Sequence, residues 1–85
     1  MFINKSPEGL NNISGKLISR YRKAAGKSQR ELADALQIAG LDIDKNAIQR
    51  IESGKRFVTD IELVYFAKVL GKTVEELLET PSDFV

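Results

Sequence analysis

The chain has 85 residues, of which 42% are hydrophobic and 29% are charged, so we expect one small globular domain with one modest core. It contains neither cysteine nor histidine, which excludes disulfides and thiolate ligands and removes the commonest general base. No apolar run approaches the roughly 20 residues that span a bilayer, and the first residues lack a secretory signal. We therefore expect a cytoplasmic protein without metal or other cofactor.

The net charge of +1 conceals an uneven distribution along the chain. Residues 14–57 hold ten Lys or Arg and five Asp or Glu, whereas residues 58–85 hold two Lys and six acids. A basic front and an acidic back would orient the molecule on a polyanion. Because unevenness of this size also arises by chance on helices, charge alone does not decide for nucleic-acid binding.

The N-terminal third predicts an arm followed by one helix. Residues 1–12 are polar and aperiodic and contain Pro7 and Gly9, so we expect a flexible arm there. Ser14 suits the N-cap of the first helix, and Gly26 suits its end. The inward stripe of this helix has helical spacing and comprises Leu17, Ile18 and Tyr21.

Two short helices are predicted next, joined by a connector over residues 41–44. The first opens with a capping box of Ser28 and Glu31, and Gly40 is its stop. The second begins near Lys45, after Asp44 as N-cap. Its inward anchors are expected to be Ile48 and Ile51. The inward anchors of the helix that opens at Ser28 are expected to be Leu32, Ala33 and Leu36.

Two further helices complete an all-α pattern. One runs from about Asp60 to Leu70 behind the N-cap Thr59, and the last begins with a capping box at Thr73. Pro81 is expected to end it. The residues expected to bury along this stretch are apolar: Phe57, Val58, Ile61, Leu63, Val64, Phe66, Ala67, Leu70, Leu77 and Leu78.

Four fragments of the chain, taken in order, share a pattern. They are Gly26-x-Ser28-Gln29-x-x-Leu32-Ala33, Ile48-x-x-Ile51-Glu52-x-Gly54, Leu63-x-x-x-Ala67-x-x-Leu70-Gly71 and Leu77-Leu78. Together they resemble the phage-repressor/Cro-type helix-turn-helix family, also called the XRE family. The resemblance implies a five-helix domain over residues 13–80, followed by a tail at 81–85. It further implies that the third helix enters the major groove of double-stranded DNA and that the protein acts as a homodimer.

The resemblance also implies roles for individual residues. The positions that match base-reading residues are Lys45, Asn46, Gln49 and Arg50. The positions placed at DNA phosphates are Ser28, Gln29, Lys55 and Arg56. Arg22 and Glu52 match a structural ion pair that ties the first helix to the third.

The chemistry of these side chains suits the roles, although each has a simpler reading. Asn and Gln can bond an adenine edge in bidentate fashion, and Arg or Lys can do the same to guanine. A solvated helix face would carry similar residues, however. Equally, Gln29 could be an ordinary helix residue, Lys55 a solvated basic turn, and Arg22 an independent surface charge.

One feature departs from the family pattern. Between Ala33 and Glu52 the chain has about five residues more than the usual spacing, and they fall within residues 37–44. The second helix could therefore run another turn, with a longer connector that Ile38, Leu41 and Ile43 still seal. This lengthened connection bears on the angle of the third helix and hence on its base contacts.

The function expected from the sequence is a transcriptional regulator that represses as a homodimer on a palindromic operator. The alternative is a protein-interaction module of the same fold, such as an antitoxin-like partner. A dimer surface could form from Leu77, Leu78, Phe84 and Val85, but the leucines could equally pack in the core and the last two belong to a frayed tail. Catalysis is not expected, because no Gly-rich phosphate loop or nucleophile motif is present.

Overall fold

The computed structural model describes residues 5–80, and these fold into five helices that confirm the predicted all-α class. The helices are α1 (Gly15–Ala24), α2 (Gln29–Ala39), α3 (Lys45–Glu52), α4 (Asp60–Leu70) and α5 (Val74–Leu77). No strand occurs within this range. No helix in it is long and apolar enough to cross a membrane, and the same residues contain no cluster of potential metal ligands.

Side-chain caps fix where most of the helices begin. Complete capping boxes start α2 at Ser28, α4 at Thr59 and α5 at Thr73, as predicted. Asp44 caps α3 by accepting a hydrogen bond of 2.8 Å from the amide of Ala47. The caps satisfy amides that have no partner inside a helix, so they hold each boundary near the predicted residue.

The start of α1 differs from the prediction. Ser14 occupies the N-cap position, but its side chain makes no capping hydrogen bond and its backbone is helical. The side chain of Asn12 takes over this role, because its Oδ1 accepts from the amide of Gly15 at 2.8 Å. An N-cap side chain normally reaches the amides of the first turn from an extended backbone, whereas Ser14 has helical φ and ψ, so its hydroxyl does not cap α1.

One core lies at the centre of the five helices. It contains ten buried apolar residues: Ile18, Leu32, Ala33, Leu36, Ile43, Ile48, Ile51, Phe66, Ala67 and Leu77. The helices α2 and α3 pack on each other, α1 packs on α3, and α4 closes the far side against α2 and α5. Since α3 buries only Ile48 and Ile51, the remainder of its surface is available outside the core.

The longer link between α2 and α3 is divided between extra helix and connector. The α2 helix continues to Ala39 and ends at Gly40, whose φ of 111° lies in the left-handed region that glycine tolerates. The side chain of Gln37 then donates to the carbonyl oxygen of Ile43 at 2.8 Å. Ile43 seals the junction with the core, whereas Ile38 does not, since it is 89% exposed.

Several apolar residues predicted to bury are exposed instead. Phe57, Ile61 and Val64 are 62%, 64% and 57% exposed, and Leu78 is 37% exposed. For Ile61 and Val64 the reason is geometric: α4 can turn only one side inward, and that side carries Phe66 and Ala67. Val58 packs at the edge of the core and Leu77 is fully buried, so these two predictions are correct.

The described part of the predicted N-terminal arm contacts the rest of the domain. Ser6 and Leu10 close a turn through hydrogen bonds of 2.9 and 3.1 Å. The backbone amide of Asn11 donates to the carbonyl oxygen of Gly54 at 2.8 Å, and Nδ2 of Asn11 donates to the carbonyl oxygen of Lys55 at 2.9 Å. Residues 5–12 are thus attached to the chain that follows α3. The predicted boundary at residue 81, together with Pro81, lies outside the described residues.

Close contact between α1 and α3 predicts that Gly15→Ala destabilises the domain. An added Cβ would lie 2.1 Å from the carbonyl oxygen of Ile51, a backbone atom that cannot swing aside. We expect a loss of about 1–3 kcal/mol in the free energy of unfolding, as for other overpacked sites. Thermal melting measures it, with Arg20→Ala on the exposed side of α1 as control. A Gly15→Ala protein that melts with the wild type would contradict this close packing.

Candidate nucleic-acid interface

The exposed face of α3 brings the four predicted base-reading side chains together. Lys45, Asn46, Gln49 and Arg50 are all exposed, whereas Ile48 and Ile51 on the opposite side have no accessible surface. At 100° per residue the four positions span about 140° of the helix surface. They therefore form one continuous polar face, directed away from the core and carrying two cations and two amides, which we call the recognition face.

The end of α3 fixes the position of Lys55. The amide of Gly54 donates to the carbonyl oxygen of Ile51 at 3.0 Å, and that of Lys55 donates to Arg50 at 2.9 Å. This pair of hydrogen bonds is a Schellman motif, and it requires the left-handed φ of 79° that Gly54 adopts. The exposed Lys55 consequently follows the recognition face at a fixed place.

Asn12 is a residue of the site that the sequence reasoning missed. Its Nδ2 donates to the carbonyl oxygens of Ile51 at 3.0 Å and of Arg56 at 2.8 Å. Together with the cap on Gly15, these bonds join the start of α1 to the end of α3. The tandem asparagines at 11 and 12 were the available signal, but only the fold shows which carbonyls they meet.

The structure brings Arg22 and Glu52 together in a bidentate pair. Nε of Arg22 donates to Oε2 of Glu52 at 2.7 Å, and Nη2 donates to Oε1 at 3.0 Å. Nη1 of Arg22 also donates to the carbonyl oxygen of Lys27 at 2.8 Å. Hydrogen bonding to Glu52 raises the pKa of Arg22 despite its burial, so its guanidinium remains charged.

The side chain of Gln29 joins this pair as a third member. Its Nε2 donates to Oε1 of Glu52 at 3.0 Å, so Glu52 links α1, α2 and α3. An amide nitrogen carries two hydrogens, and one of them stays available for a phosphate oxygen. The site at Gln29 is therefore anchored by Glu52 before any ligand arrives.

The first turn of α2 places Ser28 beside Gln29. The hydroxyl oxygen of Ser28 accepts from the amide of Glu31 at 3.0 Å, while the Glu31 carboxylate accepts from the amide of Ser28 at 2.8 Å. The hydrogen bond from the backbone amide of Ser28 is the main reason that the pKa of the Glu31 carboxyl is lowered. The amides of Gln29 and Arg30 precede the first intrahelical bond of α2, so they are donors suited to an anion.

The side chain of Arg56 contacts α4. Its Nη2 and Nη1 donate to the two carboxylate oxygens of Glu62 at 2.8 and 3.0 Å, and Nη1 also donates to the carbonyl oxygen of Phe57 at 3.1 Å. This bidentate contact lowers the pKa of Glu62 and raises that of Arg56. Of the four residues predicted at phosphates, Arg56 is thus the one whose guanidinium is paired with a carboxylate of α4.

A shallow groove between α2 and α3 adjoins the recognition face. It encloses about 400 Å³, and its wall includes Arg30 and Asp34 of α2 facing Lys45 and Asn46 of α3. Arg30 is an exposed cation that the sequence reasoning did not select. It was missed because its closeness to Lys45 depends on how the longer connector folds.

Comparison with known proteins decides the family. The family model described as helix-turn-helix matches residues 18–77, which is most of the chain. The chain belongs to the helix-turn-helix family. The predicted resemblance is confirmed, and the family identifies a DNA-binding transcription regulator rather than an enzyme. The search of curated proteins gives no match.

Two solved structures are similar to this helix-turn-helix protein. The restriction-modification controller protein C.AhdI from Aeromonas hydrophila is 26% identical, with a TM-score of 0.66 over 75% of this chain and 86% of that one. The hypothetical transcription factor NHTF from Neisseria has a TM-score of 0.73 over 98% of this chain and 92% of that one. Its sequence identity of 20% makes this second likeness one of fold alone.

The two ion pairs of α1 predict different costs of neutralisation. Glu52→Gln leaves the buried Arg22 without a counterion, which should destabilise the fold by about 3 kcal/mol, near the lower end for such losses. Glu8→Gln removes the exposed pair with Lys16 and should cost less than about 1 kcal/mol. Denaturant unfolding of both variants measures the contrast. Equal costs would refute the structural importance of Glu52.

The contact between Arg56 and Glu62 predicts a loss of stability in acid. The pKa of Glu62 is lower in the folded protein than its ordinary value of 4.5, chiefly because Arg56 donates to the carboxylate. The contribution of the ionised Glu62 to the free energy of unfolding is therefore complete above pH 4.5. It is lost as the pH falls through the lower pKa that Glu62 has in the folded protein. Melting temperatures of the wild type should decline in this range, and those of Glu62→Gln should decline less. Parallel curves would contradict the assignment.

Proposed function

We propose that this protein represses transcription by binding a palindromic operator as a homodimer in the cytoplasm. The observation that carries the proposal is the face of α3, where Lys45, Asn46, Gln49 and Arg50 lie exposed above two fully buried isoleucines. A helix held in this way presents base-reading groups on a backbone that does not have to become ordered on binding. Two copies would enter successive major grooves about 34 Å apart.

Two groups of residues would contact different parts of the DNA, one the bases and the other the phosphates. Asn46, Gln49 and Arg50 would read base edges, with Lys45 at the helix start. Ser28, Gln29 and the amides of the first turn of α2 would bind one phosphate, and Lys55 would bind another. Phosphate contacts supply affinity and register, whereas base contacts supply the sequence preference. We leave Arg56 out of the proposed phosphate contacts, because Glu62 and Phe57 already accept from its guanidinium.

A regulatory role also fits the similarity to C.AhdI, which is described as a restriction-modification controller protein. Repression by occupying the operator is the simplest output for a domain of this size. The described residues are almost fully used by the five-helix unit, and the family match spans most of them.

Selection of bound fragments from a random-sequence duplex pool tests the proposal directly. We expect enrichment of two inverted half-sites whose centres are one helical turn apart. Failure to enrich any sequence above the starting pool, at low salt, would overturn the role in operator recognition. Enrichment of a single, unpaired half-site would retain DNA reading and contradict the homodimer.

Substitutions at Gln49 and Lys55 should lower two different quantities, namely discrimination between duplexes and affinity for any duplex. Gln49→Ala should remove about 1–3 kcal/mol of discrimination between selected and random duplex. Lys55→Ala should weaken binding to both duplexes alike and reduce the salt slope by about one unit. Titrations at several salt concentrations measure both quantities, and each variant serves as control for the other. If Gln49→Ala weakened both duplexes equally, or if Lys55→Ala left the slope unchanged, that contact would be misassigned.

A further inference from the structure

The outward side of α4 is apolar although nothing in the described chain covers it. The exposed residues of this helix are Asp60, Ile61, Val64 and Lys68, and every other residue of α4 is at least partly buried. At 100° per residue these four fall within one stripe about 100° wide. We call this stripe, from Asp60 to Lys68, the outer face of α4.

The composition of the outer face is unusual for a surface helix. Two large aliphatic side chains lie at its centre, both more than half exposed, and Phe57 just before the helix is exposed as well. Since α4 also carries the buried Phe66 and Ala67 on its other side, it is apolar on both sides. A helix of this kind is normally covered on both sides.

The charges at the two ends of the outer face identify what would cover it. Asp60 lies four residues before Val64 and Lys68 lies four residues after it. If α4 pairs antiparallel with a copy of itself about a two-fold axis at Val64, Asp60 lies opposite the partner's Lys68, and this occurs twice. Neither Asp60 nor Lys68 has an ion-pair partner among the described residues. We propose that a second copy of this chain docks on the outer face of α4.

This pairing is compatible with DNA reading. The helix α3 packs chiefly on α1 and α2, and the recognition face shares no residue with the outer face, so pairing through α4 does not use the proposed base-reading residues. The outer face has one acid and one base, which suits a copy of itself and offers no attraction to a polyanion. The inference rests on the proposed homodimer and specifies the surface that makes it. Of the surface expected from sequence, Leu77 is buried and Leu78 is exposed, while Phe84 and Val85 lie outside the described residues.

Charge reversal on the full chain tests the pairing. Asp60→Lys opposes two lysines across the axis, and Lys68→Asp opposes two aspartates. Like charges placed opposite each other cost several kcal/mol, so each variant should raise the dimer dissociation constant at least about tenfold. A mixture of the two variants restores both attractive contacts. Sedimentation velocity should therefore show each variant as monomer alone and an equimolar mixture of them as heterodimer.

Two further variants keep the test independent of folding. Val64→Glu places two carboxylates on the axis and should also give a monomer, while its circular dichroism and melting curve stay near those of the wild type because Val64 is exposed. Ile38→Glu serves as the matched control, since Ile38 is an exposed aliphatic residue outside the outer face and its substitution should leave the dimer intact.

The possible outcomes separate this inference from the proposed function. A wild type that is monomeric without DNA, a Val64→Glu protein that remains dimeric, or a mixture that does not associate would each overturn the outer face as the dimer surface. Operator binding measured on the same proteins is a separate result. A dimer that behaves as expected but selects no duplex would refute the DNA role and retain the interface.

Discussion

The buried carboxylate of Glu52 is the contact on which the geometry of this domain depends. It accepts from Arg22 of α1 and from Gln29 of α2 while belonging to α3 itself. Three helices that share only a small core are thereby fixed at one point, at the end of the helix that carries the proposed base-reading face. Losing such a group does more than remove one ion pair, because the guanidinium of Arg22 would remain buried without its counterion.

A second set of contacts holds the same end of α3. Gly15 lets the start of α1 approach the carbonyl oxygen of Ile51, and the side chain of Asn12 bonds that carbonyl and the one of Arg56. The carbonyls at a helix end otherwise lack partners within the helix. Asn12 adds a second donor to the carbonyl of Ile51, and Asn11 and Asn12 donate to three carbonyls that follow α3, so the segment before α1 supports the end of that helix. A rigid support matters because base readout depends on placing several side chains at once.

The helix α4 shows how one element can serve both the core and an association surface. Phe66 and Ala67 pack inward, while Ile61 and Val64 lie outside together with Asp60 and Lys68. The pair Arg56 and Glu62 stabilises the chain that leads into this helix. In the proposed dimer, two surfaces of different character would serve two functions. The polar, solvated surface of α3 would read DNA, and the self-complementary surface of α4 with its exposed aliphatic residues would pair with a second copy.

The five helices, most of their caps and the pattern typical of the helix-turn-helix family could be predicted from the sequence alone. These features follow from local chemistry: a Ser or Thr three residues before Glu, a Gly after the last turn, and apolar residues at helical spacing. The tertiary structure was needed to show which apolar residues are buried, because a helix with two apolar sides gives no local sign of which side meets the core. It likewise decided the partners of Gln29, Arg56 and Asn12, since those contacts join residues between six and 44 positions apart in the chain, beyond the reach of any local rule.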